Sequence, residues 1–577
     1  MKQGLLYSQI GYDIGDPMKA CFCADTENAL RDAYFEVVYL DTGEKKSAKP
    51  ECFGEKWKRW WWELDFSGIK RPCEIIIKLY SGGDEIEHSD PVPVGYNLVW
   101  DRTIKEVAIS AFEERQKRAR NGIGWKDCGS EFREICSIAP SVSALCDLLN
   151  KCPAEFSGQE QERIRRQIIA GAEYIMKCME AAECFGMPRG AIVHDIPNFI
   201  VNLPGDTAQA VIALAKASVL LVENDSSKSS VYLEAAKAGY EHILHGLQPY
   251  GEEGLNRELL DIPAGTALPG EFMTKDLFLF LEAGISLYKA GQFGYKDSVI
   301  RFADEIMARQ VPEEEKEDGL YGHFYTFDSL KISEKNFIHH HCGHDCGGIF
   351  FNYLRPFMDL ILTFSSHEKV KLWEEVIQRY TVSFFIPACQ RNPFRLLPVG
   401  YYKGEGWLNF CGPWHGFNTM MGYTASLALE LIKFVPRQEL YEIAISNIQW
   451  FCGVNAGLCK ESFDTCVFWQ EDIPEGKVVP FSQIMGIGRR SVSCWTDIVG
   501  TIPNGFCVNS QFQFDVPNKL ENDGPVRYTD EDWIPHSAGF ICALAELNDR
   551  HYFDKVHPRS RKLLDFMQKK ELPGGSF

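Results

Sequence analysis

Two patterns of hydrophobic and polar positions divide the chain. Up to about residue 97 they come in short runs. Val37-Val38-Tyr39-Leu40 leads into the turn Asp41-Thr42-Gly43-Glu44, and Glu74-Ile75-Ile76-Ile77-Lys78-Leu79-Tyr80 into Ser81-Gly82-Gly83-Asp84. Short strands punctuated every 10 or so residues, about the spacing of sandwich folds, predict a β-sandwich. The breaker-rich Ser89-Asp90-Pro91-Val92-Pro93-Val94-Gly95 marks its exit. From about residue 102 the period becomes helical: Ile164, Ile168, Ile175 and Met179 keep one face apolar, as do Leu440, Ala444, Ile448 and Phe451. The same reading predicts helices near 103–119, 131–150, 160–183, 206–222, 229–247, 272–290, 295–310, 345–364, 367–386, 416–434, 437–452 and 534–548, with a last one near 554–570. The expected organisation is a β-sandwich domain over 1–97 and an all-α domain over 98–577. Its paired helices close on themselves. The long connections 310–345, 386–416 and 452–534 then gather on one face and build the site. The run Trp60-Trp61-Trp62 is read as packing the sandwich against the helices.

Composition narrows the partners. Over 577 residues, 60 Lys and Arg stand against 80 Asp and Glu, a net charge of −20 that disfavours nucleic acid or an anionic membrane surface. The start of the chain has no apolar signal-type core, no window is apolar enough to span a membrane, and the 20 Cys are scattered as small buried hydrophobes are. A cytoplasmic location is expected. An aromatic content of 13% suits a sugar-type stacking site and equally a large core.

Four stretches carry a family resemblance. They are Ser8-Gln9-Ile10-Gly11-Tyr12 with Asp16-Pro17-Met18-Lys19-Ala20; Ala111-Phe112-Glu113-Glu114-Arg115-Gln116 followed by Gly124-Trp125-Lys126-Asp127-Cys128-Gly129-Ser130; Pro204-Gly205-Asp206-Thr207-Ala208; and Tyr528-Thr529-Asp530-Glu531 continuing to Ser537-Ala538-Gly539-Phe540. In this order and spacing the chain resembles glycoside hydrolase family 9, in the form with an N-terminal immunoglobulin-like domain before an (α/α)6 barrel. The resemblance implies cleavage of a glycosidic bond, Glu531 as general acid, and Asp127 as the aspartate that helps hold the nucleophilic water. An inverting glycosidase needs two carboxyl groups roughly 6.5–9.5 Å apart, one protonating the leaving oxygen and one activating water. Here the sequence departs from the pattern: the aspartate that serves as base in the family is Ser130, and a serine takes no proton from water without a base of its own. Glu131, if in a first helical turn, points about 100° away from Ser130. The family's histidine-histidine-arginine motif is also absent, with Arg489-Arg490 the nearest cationic stand-in.

Each candidate has a plainer reading. Asp127 could cap the following helix. Glu531 could be one of a solvated acidic run, with Asp532 its competitor for the acid role, and Ser130 could be an N-cap. Trp125 and Trp414 are sugar platforms or core. His536 tunes the acid or caps its helix. The cluster His339-His340-His341-Cys342-Gly343-His344-Asp345-Cys346 consists of metal-ligand residue types apart from its glycine, but its spacing fits no standard zinc pattern. His340, His341 and His344 are taken as substrate contacts, with hydrogen bonding and metal ligation as alternatives; His415, in Pro413-Trp414-His415-Gly416, is a second sugar contact. The expected function is cleavage of a small oligosaccharide or glycoside with no cofactor. Phosphorolysis with inorganic phosphate as nucleophile, bound by Ser130 and an arginine, a noncatalytic carbohydrate-binding protein, and a lyase or epimerase acting on a uronic acid are the competing classes. Oligomeric state is left open.

Overall fold

The computed structural model describes residues 2–249, 269–329, 337–339, 354–398, 400–402, 406–410, 418–460, 473–507 and 527–549. The N-terminal part is a sandwich of ten strands: β1 Gln3–Leu6, β2 Tyr12–Asp13, β3 Lys19–Ala24, β4 Tyr34–Tyr39, β5 Lys45–Ala48, β6 Glu51–Lys56, β7 Arg59–Asp65, β8 Cys73–Ser81, β9 Asp84–His88 and β10 Val92–Gly95. One sheet has the order β1-β3-β7-β6, the other β2-β10-β8-β4-β5 with β9 paired to β8. Alternation sets the inner face: Phe35, Val37 and Tyr39 of β4 stand opposite Leu79, Ile77 and Ile75 of β8, and all six are buried.

The helices are α1 Leu98–Lys105, continuing through a wide turn into α2 Ala111–Arg118, then α3 Ile135–Lys151, α4 Gly158–Cys184, α5 Pro204–Leu221, α6 Ser226–His245, α7 Thr274–Lys289, α8 Lys296–Ala308, α9 Arg355–Thr363, α10 Val370–Tyr380, α11 Asn418–Leu431, α12 Gln438–Cys452 and α13 Ile534–Asn548. The helices α3, α5, α7, α9, α11 and α13 pack each on the next, and α13 returns to α3, so they close an inner ring with the other helices outside it. Sequence explains the two layers. Every residue of α11 is buried, as is Ile534–Leu547 of α13, so these helices are buried all round rather than along one stripe. Their backbones meet where side chains are smallest: a Cβ on Gly422 would lie 2.3 Å from the carbonyl carbon of Gly539. Outer α4 is amphipathic and opens on a capping box between Ser157 and Glu160. Among the described residues no helix is long and apolar enough to cross a membrane.

A layer of buried charge crosses the ring. Arg355 Nη2 lies 2.5 Å from Asp147 Oδ2 and its Nε 3.6 Å from Glu430 Oε1; Lys216 lies 3.0 Å from Asp147 and 3.5 Å from Glu282. Lys151 and Lys433 pair with Glu546. Four cations thus balance four carboxylates. The sandwich joins the ring by aromatic and ionic contacts. Trp61 meets Phe394 edge-on at 5.1 Å, and Glu63 takes both Lys19 at 3.0 Å and Arg395 at 3.1 Å.

Candidate functional site

One buried arginine assembles the site from distant segments. Arg115 of α2 donates to the carbonyls of Lys126 (2.9 Å), Asp127 (3.0 Å) and Asp532 (2.6 Å), and reaches Asp532 Oδ2 at 3.2 Å. The Ile534 amide donates to the Asp127 carbonyl at 2.9 Å, so the loops before α3 and α13 are pinned side by side. Asp532 is fully committed: it is buried against Arg115 and also accepts from the amide (3.2 Å) and hydroxyl of Thr496. Its neighbour Glu531 is only half-buried. Of the two acids, Asp532 is held in buried contacts and Glu531 is the one with access to solvent.

The Glu531 carboxylate is oriented by a chain of hydrogen bonds. The Thr419 amide, at the start of α11, donates to His536 Nδ1 at 2.9 Å, which requires a lone pair there and puts the ring proton on Nε2. Nε2 lies 2.6 Å from Asn504 Oδ1, so that proton is donated to the amide oxygen. The Asn504 amide group then faces Glu531 and donates to Oε2 at 2.9 Å, while the Asn504 backbone amide donates to the Glu531 carbonyl at 2.7 Å. His536 is fully buried, and its position in the first turn of α13 carries it to Asn504.

Asp127 is buried at the entry to α3. Its Oδ2 accepts from the Glu134 amide (3.1 Å) and the Ser137 hydroxyl (3.3 Å), the geometry of a helix-capping carboxylate. Burial, then the negative charge of Glu134, push its carboxyl up to about 8. Helix α3 starts later than its periodicity predicts because residues 127–134 form this capped loop. Glu131 therefore lies outside the helix, exposed and paired with Lys126 at 2.9 Å. Ser130 is half-buried; its hydroxyl lies 3.0 Å from Cys128 Sγ and accepts from the Phe132 amide at 3.2 Å, closing a local turn. The Cys128 thiol is pushed upward by burial, then by the Asp127 and Glu531 carboxylates, which places all three groups in one electrostatic neighbourhood.

Two sequence candidates are corrected. Trp125 has no exposed surface: it stacks edge-on against Phe112 at 4.8 Å and donates from Nε1 to Gln167 at 2.8 Å, so it is core of the α2–α4 contact and offers no platform. Arg489 sits at the junction with the sandwich, its amide donating to the Gln9 carbonyl at 2.9 Å and its Nε 3.1 Å from Asp90, so it is not the stand-in cation of the site. His340, His341, His344, Trp414 and His415 lie outside the described residues.

The structure adds a different aromatic. Trp495 is 49% exposed, packs over Gly129 so closely that a Cβ there would lie 2.8 Å from its own Cβ, and donates from Nε1 to Asp530 Oδ1 at 2.9 Å. Asp530 is itself pushed up to about 6, mainly by burial. No periodic pattern marks Trp495 or Asn504, since each gains its contacts from chain folded back over it; Arg115 stands in the Ala111–Gln116 segment, where its residue type alone announces nothing. Trp495→Ala is expected to weaken several-fold the binding of a ligand that stacks on this exposed indole, read by equilibrium titration.

No protein-family model and no curated protein matches the chain. Solved structures do. A metagenome-derived glycoside hydrolase family 9 endoglucanase is 14% identical and aligns over 95% of this chain and 99% of its own, with a TM-score of 0.61. A Bacteroides ovatus protein of the same family is 13% identical, over 94% of this chain and 98% of its own, with a TM-score of 0.60. AaCel9A in complex with a cellobiose-like isofagomine is 14% identical, over 94% and 99%, with a TM-score of 0.57. The likeness is one of architecture across nearly the whole chain: this protein has the fold of glycoside hydrolase family 9, an N-terminal immunoglobulin-like sandwich followed by an (α/α)6 barrel.

Proposed function

We propose that this protein cleaves a glycosidic bond in a small oligosaccharide or glycoside, with Glu531 as general acid and Asp127 positioning or activating the nucleophile. The observation that carries the reading is the Glu531–Asn504–His536 chain beside a half-exposed indole: a carboxyl group with one oxygen held in place, solvent access, and an apolar face against which a sugar ring can stack. The cellobiose-like ligand of one structural relative supports a sugar substrate of the same general class.

The nucleophile side favours a second version. Ser130 is no base, and Asp127 is a poor activator of water: its Oδ2 is taken up by the Glu134 amide and the Ser137 hydroxyl, and burial, then the Glu134 charge, push its carboxyl upward. Inorganic phosphate is already anionic and needs no base, so inverting phosphorolysis fits the same acid. The deciding experiment incubates the full chain with β- and α-linked disaccharides and aryl glycosides, with and without phosphate. Sugar 1-phosphate formed only with phosphate supports phosphorolysis; free sugar at equal rates in both supports hydrolysis; no product across the panel rejects both. In the hydrolytic case Asp127→Asn is expected to lower kcat by about 10²–10⁴-fold, the usual contribution of a positioned acid–base group. Unchanged kcat would reduce Asp127 to a helix cap.

A further inference from the structure

A second cluster lies behind Asp127, and it is not used by the proposed reaction. Glu134 precedes α3, Cys136 lies in its first turn, and His194 stands in the loop that leads to α5. One ligand atom from each comes within 4.8 Å of the others, and all three residues are buried. His194 Nε2 is 3.4 Å from Glu134 Oε1, and Cys136 Sγ is 3.9 Å from Glu134 Oε2. We propose that Glu134, Cys136 and His194 form a binding site for a divalent zinc-type cation.

Three features support that assignment. The donors are a carboxylate oxygen, a sulfur and an imidazole nitrogen, the set that zinc takes with bonds of about 2.0–2.3 Å. Tetrahedral bonds of that length space neighbouring donors roughly 3.5 Å apart, matched by the 3.4 Å between His194 Nε2 and Glu134 Oε1, with all three donors within 4.8 Å of one another. The second feature lies behind the histidine. His194 Nδ1 is 2.8 Å from Asp206 Oδ2, the carboxylate-to-histidine contact that fixes the ring of a metal ligand with Nε2 toward the ion. The third is charge. Glu134 and Asp206 both reach the buried His194 ring, so two buried carboxyl groups face one imidazole. A divalent cation resolves that excess, since buried charges are otherwise paired or neutralised. Cys136 and His194 are 58 positions apart in sequence, so no short spacing motif announces the site. The cation would tie the start of α3 to the loop before α5. Through the Trp533 indole, which donates to Glu134 Oε2 at 3.2 Å, it would also brace the segment that follows Glu531.

The site is tested on the full chain stripped with a chelator and then titrated with zinc alone, with bound metal counted by elemental analysis. One zinc per chain is expected, with a rise in melting temperature. Cys136→Ala and His194→Gln should abolish that binding, and Asp206→Asn should weaken it by about 10–100-fold as a loss behind the ligand. Cobalt(II) provides a readout independent of those variants folding: the unmodified chain should show a sulfur-to-cobalt charge-transfer band. The band should persist when Cys342 and Cys346 are both replaced by alanine. No zinc uptake, a cobalt spectrum without the thiolate band, a band lost in the Cys342/Cys346 variant, or uptake unchanged in folded Cys136→Ala each overturns the proposal. The cluster would then be a hydrogen-bonded Asp206–His194–Glu134 triad.

Discussion

Glu531→Gln is expected to lower kcat/KM for a glycoside with a poor leaving group by about 10²–10⁴-fold, the range a positioned general acid contributes. Glutamine keeps an amide oxygen for Asn504 Nδ2 to donate to, so the side chain should hold its place while losing the transferable proton. The loss should nearly vanish with a fluoride or dinitrophenolate leaving group, which departs without protonation. That dependence separates an acid role from damage to the cleft, which would slow every substrate alike. Equal losses on all leaving groups, or none on any, would sink the assignment. Asp532→Asn should behave differently: its carboxylate is locked to Arg115 and Thr496, so the deficit should appear in thermal stability whichever leaving group is used.

Arg355→Met is expected to cost about 3–5 kcal/mol of stability, the penalty for stranding a buried charge whose partner is removed. Its guanidinium stands between Asp147 and Glu430, and Lys216 alone cannot balance Asp147 and Glu282 together. The pH dependence has a definite sign. Against the upward push of burial, Arg355 and Lys216 hold the Asp147 carboxyl well below the usual range, so this stabilisation is full above the unfolded-state value and is lost as pH falls from there toward the lowered folded-state value. The variant's deficit in urea unfolding should therefore be largest above about pH 5 and shrink below about pH 4, near the ordinary carboxylate value. A deficit that is independent of pH would assign the loss to packing rather than charge.

Much of the fold is legible in the chain because local periodicity and burial are the same fact seen twice. The alternation in β4 and β8 becomes the facing pairs Phe35–Leu79 and Val37–Ile77, and the helical period of 437–452 becomes α12. Boundaries slip where a side chain far from the helix overrides the pattern. The period near 131 predicts helix, but the Asp127 carboxylate caps the chain four residues later. Trp125 shows a different limit: a tryptophan in a loop motif reads the same whether it faces a cleft or, as here, fills the space beside Phe112.

By itself the sequence determined the two-part architecture and the acidic charge, since each follows from local pattern or composition; the departure at Ser130 and the neighbourhood of the candidate acid were legible only through the family resemblance of the motifs. Only the tertiary structure sets Glu531 apart from Asp532. Adjacent acids are equivalent in a motif, and what distinguishes them is Arg115, 417 positions from Asp532, claiming one carboxylate while Asn504 orients the other. It also decided that Arg489 belongs to the domain junction, that Trp495 covers Gly129, and that His194 stands between Asp206 and Glu134. These are contacts between segments that no local period relates, and ring closure by α13 on α3 brings the two ends of the helical region together to make the site.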